Sequence, residues 1–282
     1  MINCLPDSDI ECFIEEDVPY GDLTTHLLGI GDRTGQIIFS TREETTLCCT
    51  EEAARVLRKC GATITSCMPS GTKLFAGIDF LAAQGPTRAL HAGWKVALNL
   101  LEHASGIASR TQRIVEKATS VNPALSVVTT RKSFPGTKKI AIKAITSGGA
   151  LPHRLGLSET VLVFKQHTTF LGGLESFLST IAELRVKARE TKIIVEADTC
   201  EEALLIARNG ADIVQLDKIS PDELADTVTA IRTVNPNILI SAAGGINESN
   251  AAEYAKTGID IIVLSSVYFG KPSDIGVTIQ PV

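Results

Sequence analysis

From residue 126 onward, short apolar runs rich in β-branched residues alternate with stretches of helical period. The runs predict strands over 126–130, 160–164, 193–197, 213–216, 238–241 and 261–264. The spacing between them predicts helices over 174–187, 201–209, 221–234 and 248–257. Gly210 and Gly258 stand where helices must stop, and Asp222 and Asn247 stand near helix starts. Strands that read as unbroken hydrophobic runs belong to a parallel sheet covered on both faces. About six such units fit a β/α barrel, with a doubly wound sheet as the rival.

The first half reads differently. The pattern predicts an acidic helix over 8–16, strands over 36–40 and 46–49, a helix over 51–60 stopping near Gly61, and short strands over 72–76 and 80–83. From 90 to 118 the apolar spacing turns helical, as one helix or as two joined near Ser105-Gly106. This is an α+β pattern with short strands.

Composition narrows the classes. The chain has 282 residues, 44% hydrophobic and 21% charged, enough for a sizeable core and ordinary for a globular protein. A net charge of −5 speaks against a nonspecific nucleic-acid binder. No apolar run reaches the length of a membrane span, and Met1 to Asp7 lack a signal-peptide pattern. The 7 cysteines include no C-x-x-C pair, so neither a disulfide framework nor a zinc site is expected. A reducing cytoplasm is the expected setting, with no membrane or nucleic-acid partner.

The informative residues follow the predicted strands. They are Arg131-Lys132, Lys165-Gln166-His167, Glu196 with Asp198, Asp217-Lys218, Gly244-Gly245 and Ser265-Ser266. In a barrel the strand ends converge on one mouth, where active sites lie. Glycines let backbone approach a ligand, a helix start favours anions, and barrels bind phosphate beside their last strands. Gly244-Gly245, with hydroxyls from Ser265-Ser266, therefore reads as a phosphate cradle. The basic run from Arg131 through Lys138-Lys139 stands out in an acidic chain; as a solvated helix start it would oppose the dipole, which disfavours cations there, so it too reads as an anion site. His26, His91 and His103 read as structural or surface residues. No histidine pair has metal-ligand spacing, so no protein-built transition-metal site is expected.

These motifs resemble the quinolinate (nicotinate-nucleotide) phosphoribosyltransferase family, most closely its ModD branch of provisionally assigned pyrophosphorylases associated with molybdenum-transport genes. The similar stretches are Glu16-Asp17 with Gly21-Asp22-Leu23-Thr24-Thr25, Leu98-Asn99 with Ser105-Gly106-Ile107-Ala108, and Thr130 through Gly136. They continue with Gly148-Gly149, His153-Arg154-Leu155, Glu196 with Asp198, Asp217, and Gly244-Gly245 with Tyr254, Gly258 and Asp260. The resemblance runs in order over nearly the whole chain.

It implies an N-terminal α/β sandwich domain over 1–107 and an incomplete, TIM-like β/α barrel over 108–282. It implies a pentosyltransferase using phosphoribosyl pyrophosphate (PRPP) with Mg²⁺ and an acidic acceptor. It also implies a homodimer, or a higher homo-oligomer, with shared active sites. By the same resemblance Lys132, Glu196 and Asp217 are the catalytic residues. Lys132 holds PRPP phosphate, while Glu196 and Asp217 meet the ribose hydroxyls and the Mg²⁺–pyrophosphate. Gly244 and Gly245 cradle the 5′-phosphate beside Ser265, and Arg131, His153, Arg154, Lys95 and Lys165 belong to substrate binding.

The departures matter as much. Where quinolinate enzymes carry Glu-Arg, this chain has Trp94-Lys95. Where they end a strand in Lys-Asp-Asn-His, it has Phe164-Lys165-Gln166-His167, so one pocket lysine is replaced by Phe164. Thr129 and Ala243 stand where the family has Asp and Ser. A dicarboxylate left with fewer cations, and with Lys in place of a bidentate Arg, is poorly compensated. The expected acceptor is therefore acidic but not quinolinate. The alternatives are another phosphate-binding barrel, such as an isomerase or lyase, and a noncatalytic oxyanion- or nucleotide-binding accessory protein linked to molybdenum transport.

Overall fold

The computed structural model describes residues 5–282. They form two compact units that interleave in sequence. The first takes the chain up to Gln112, then Ser133–Gly149 and Val267–Val282; the second takes Arg113–Lys132 and Ala150–Ser266.

The first unit opens with α1 (Asp7–Asp17) and α2 (Leu23–Leu27), whose N-cap Asp22 accepts a hydrogen bond from the Thr24 N–H. Then come β1 (Thr34–Thr41), β2 (Thr45–Thr46), α3 (Thr50–Cys60), β3 (Thr63–Cys67), β4 (Lys73–Leu74) and β5 (Asp79–Pro86). Helix α3 stops at Gly61, whose φ of 105° suits glycine. The 90–118 pattern resolves into one helix, α4 (Thr87–Thr119), and the division between units falls inside it. Its Gly106 is required by close approach: an added Cβ would lie 3.0 Å from the Lys271 carbonyl and the Ser273 nitrogen.

Strand β1 buries alternate residues, including Ile37 and Phe39, and pairs antiparallel with β5 and with the C-terminal β13 (Ile275–Pro281). The sheet order is β13-β1-β5-β3. Its core continues through Leu57 of α3 and Leu90, Ala97, Leu101 and Ala104 of α4.

The second unit holds β6 (Ser126–Thr129). Helix α5 (Lys138–Ser147) follows but belongs to the first unit. Next are β7 (Leu151–Pro152), β8 (Val161–Val163), α6 (Lys165–Thr168), α7 (Leu174–Ser179) and α8 (Ile181–Lys187). The helix expected over 174–187 is thus broken at Thr180. Then β9 (Ile193–Ala197), α9 (Cys200–Arg208), β10 (Ile213–Asp217), α10 (Pro221–Val234), β11 (Leu239–Ala243), α11 (Ala251–Lys256) and β12 (Ile261–Leu264) complete it.

The seven strands form one sheet, β7-β6-β12-β11-β10-β9-β8, and every pairing is parallel. The sheet curls. Leu162, Ile194 and Ile213 of β8, β9 and β10 gather into one cluster with Ile261 of β12, two strands beyond β10 and roughly 10 Å away in a flat sheet. The ends β7 and β8 do not pair, so this is the expected incomplete barrel and not a doubly wound sheet. Among the described residues no helix is long and apolar enough to cross a membrane.

Candidate active site at the strand ends of the half-barrel

Side-chain alternation decides what faces the inside of the half-barrel. Leu162, Ile194 and Ile213 point inward as one apolar layer. Two residues further along each strand, the same face carries Phe164, Glu196 and Gln215, and two further on β10 it carries Asp217. On the other side Val128, Ala243 and Val263 form a second inward cluster, and the residues two beyond Val128 and Val263 are Thr130 and Ser265. Their hydroxyl oxygens lie 2.7 Å apart. Acids from β9 and β10 and hydroxyls from β6 and β12 thus share one mouth.

Glu196 is partly buried and accepts a 2.8 Å hydrogen bond from Gln215 Nε2, its partner in the β9–β10 register. Burial raises its pKa, and the charges of Asp217 and Asp198 raise it further against the lowering effect of Gln215 and Lys218. Gln215 is 4% exposed, and its Oε1 has no hydrogen-bond partner. Asp217 receives the Lys218 ammonium at 2.8 Å. Glu196 and Asp198 also line a small, solvent-open depression with Lys165, Thr168, Leu174 and Glu202.

Gly244 and Gly245 follow β11 in the left-handed region, at φ 86° and 74°. A Cβ on Gly244 would lie 2.5 Å from Lys218 Cγ and 2.8 Å from Asp217 Oδ1, so only glycine fits against this acid. A Cβ on Gly245 would meet open space. The Gly245 carbonyl accepts hydrogen bonds from the Asn247 and Asn250 side-chain amides, and Glu248 is held by Arg113 and Lys117. The loop is therefore fixed by side chains. The helix expected from 248 begins only at Ala251 and is six residues long, so the cradle is a loop of backbone amides rather than the start of a long helix.

The basic residues divide. Arg131, exposed beyond β6, and Arg154, beyond β7, are close enough for the charge of Arg131 to lower the Arg154 pKa, after burial, which is the larger cause. Burial, and then the charge of Arg154, push the His153 imidazole below its ordinary value, which favours its neutral form. Lys132 is exposed, and its backbone N–H donates to Thr130 Oγ1 at 3.3 Å. Phe164 holds the inner-face position beside Glu196, its ring stacked on His167 at 5.8 Å. Lys165 opens α6 and reaches the depression that Glu196 also lines.

Lys95 lies on α4 in the first unit, with its ammonium 5.5 Å from the Trp94 ring. Lys138 and Lys139 are also in the first unit, where Lys139 pairs with Asp9. His91, read as structural or surface, has its Nδ1 2.6 Å from Thr25 Oγ1, which also bonds Asp22.

Sequence reasoning passed over Gln215, and it took Lys218 only as one of the charged residues that close a strand. The signal for Gln215 was available, since it is the one polar residue inside the run Ile213-Val214-Gln215-Leu216. The role of Lys218 carries no such signal, because its left-handed φ of 57° is visible only in the fold.

Comparison with known proteins settles the family. The profile "Quinolinate phosphoribosyl transferase, C-terminal domain" matches residues 107–277, and the corresponding N-terminal domain matches 22–105. The chain belongs to the quinolinate phosphoribosyltransferase family. Members of this family are pentosyltransferases. ModD of Rhodobacter capsulatus, a provisionally assigned pyrophosphorylase, is 42% identical over 256 residues, covering 90% of this chain and 97% of that one. The carboxylating nicotinate-nucleotide pyrophosphorylase of Rattus norvegicus is 35% identical over 211 residues, 73% of this chain and 68% of that one. The solved nicotinate-nucleotide pyrophosphorylase of Francisella tularensis superposes with a TM-score of 0.89 at 24% identity, covering 99% of each chain, which establishes the shared fold.

Proposed function

We propose that this protein is a phosphoribosyltransferase that takes PRPP, with Mg²⁺, to an acidic acceptor other than quinolinate. The observation that carries the reading is the junction of β9, β10 and β11, where Glu196, Asp217 and a glycine that only glycine can replace meet at one mouth. A purely anion-binding protein gains nothing from two carboxylates there. Loss of pyrophosphate from C1 of PRPP leaves an oxocarbenium-like centre, which fixed carboxylates stabilise electrostatically. The Gly244-Gly245 loop offers backbone to the 5′-phosphate, and Lys132 and Ser265 add donors for phosphate oxygens.

Among the described residues no cluster of three or more metal-ligating side chains occurs. Mg²⁺ needs fewer, because it commonly binds one or two carboxylates and completes its shell with water and substrate phosphates. Glu196 and Asp217, on neighbouring strands, fit that habit and would hold it. When bound it neutralises the pyrophosphate leaving group.

Arg131 and Arg154 supply the positive charge for the acceptor, with His153 as a neutral donor or acceptor and Lys165 at the edge of the depression. Phe164 faces inward where quinolinate enzymes carry a lysine, which favours an acceptor with less negative charge than a dicarboxylate. Lys95 belongs to the same reading through the neighbouring subunit of a homodimer. Exposed Tyr20, Leu23, Leu27 and Leu28 in the first unit support such an assembly. The setting is the cytoplasm.

The test is pyrophosphate release by the purified protein with PRPP, Mg²⁺ and a panel of aromatic and aliphatic acids. Release with a monocarboxylate and little with quinolinate is the expected result; efficient quinolinate turnover overturns the acceptor assignment.

A further inference from the structure

Lys218 stands immediately after Asp217, and its geometry is unusual. Together with Cys49 it makes up the non-glycine residues with positive φ among those described. Such a backbone is unfavourable for a residue with a side chain, and strain of this kind collects at functional sites. The conformation is held by the Lys218 N–H, which donates to the Ala243 carbonyl at 2.8 Å. It is also held by the absence of a side chain at Gly244, which leaves room for the lysine stem. So placed, the side chain turns back and sets its ammonium 2.8 Å from Asp217 Oδ2, although 79% of the side chain is exposed. A solvated lysine has no need of this arrangement.

A second observation points to a missing charge or donor at the same place. Gln215, one inward position below Asp217, spends its Nε2 on Glu196 and leaves Oε1 buried with no partner. A buried acceptor left so is costly, and it is satisfied by a cation, a ligand donor or water.

We infer that Lys218 is the resident counter-ion of the Glu196–Asp217 carboxylates, occupying in the ligand-free protein the place that a divalent cation takes when PRPP binds. This rests on the transferase reading above. The ammonium contacts Asp217, whose strand β10 pairs with the β9 strand that carries Glu196. The arrangement keeps clustered carboxylates compensated while the mouth is empty, at an exposed pair weak enough to be exchanged.

The test is Mn²⁺ binding, read as loss of the free-ion electron paramagnetic resonance signal, for the intact chain and for Lys218→Met, Lys218→Arg and Asp217→Asn. Lys218→Met keeps the stem against Gly244 and removes the charge. It is expected to bind Mn²⁺ roughly two- to fivefold more tightly, the scale of an exposed ion pair. Lys218→Arg should bind as the parent does, and Asp217→Asn should bind weakly. Equal or weaker binding by Lys218→Met overturns the counter-ion role. If PRPP still stabilises the protein in a Mg²⁺-dependent way, that failure is confined to Lys218. If no variant binds Mn²⁺ and PRPP has no effect, the transferase reading falls with it.

Discussion

Gly244 and Gly245 are neighbours with similar left-handed backbones and opposite surroundings, so they separate strain from packing. Alanine at either position pays about 1–2 kcal/mol for the backbone alone. At Gly244 it also drives into Lys218 Cγ and Asp217 Oδ1, adding about 1–3 kcal/mol of overpacking. Thermal denaturation should therefore show a clearly larger loss for Gly244→Ala than for Gly245→Ala; equal losses would mean that the close approach to Asp217 is not real. The acids make a second prediction at this scale. Glu196→Gln and Asp217→Asn keep shape and remove charge, and each should lower pyrophosphate release by about 10²–10³-fold while the melting temperature holds. Glu196, Asp217 and the two glycines were legible in the sequence because each closes an apolar run. Gln215 was passed over, and Lys218 was read only as a strand-end charge, because their meaning depends on which face the strand turns inward and on a backbone angle.

Helices α3 and α5 are joined by a buried charge cluster. The Lys143 side chain is fully buried, with its ammonium on Glu51 and on the equally buried Glu52. Burial alone would lower the Lys143 pKa, but Glu52 and Glu51 hold it above its ordinary value. Burial would raise the Glu51 carboxyl, yet hydrogen bonds from Ser70 and Lys143 bring it from 4.5 down to about 2. Its folded value lies below its unfolded one, so the stabilisation is complete above about pH 4.5 and is lost as pH falls toward 2. Urea midpoints from pH 6 to pH 3 should fall, and the fall should be smaller in Glu51→Gln. Lys143→Met strands Glu52 and should cost about 3–5 kcal/mol, partly recovered by adding Glu52→Gln. An unchanged urea midpoint in Lys143→Met would show that the cluster contributes nothing.

Sequence pattern alone did not reveal α5 as an element of its own. Lys138-Lys139 at its start oppose the helix dipole, and its apolar residues crowd into ten positions. Strand β7, of two residues, and β13, whose alternation follows a loop, were too short or too late to register. The long parallel strands were plain because burial on both faces makes them continuous runs.

At the scale of the whole molecule the two units interleave, with α5 and β13 returning to the N-terminal unit after the barrel has begun and after it has ended. Strand order of this kind comes from long-range pairing and is invisible to local pattern. The half-barrel was legible through its rhythm and family motifs; the proposed acceptor preference rests on side chains such as Phe164 and Arg154, which no periodicity encodes. The central claim, that this mouth binds PRPP with a divalent cation, is tested most directly by the melting temperature with PRPP, with and without Mg²⁺, beside molybdate alone. At about 100 times its dissociation constant the ligand should add roughly 2.7 kcal/mol, and the gain should depend on Mg²⁺. No change with PRPP, together with a clear rise with molybdate, would contradict the account and make the mouth an oxyanion site.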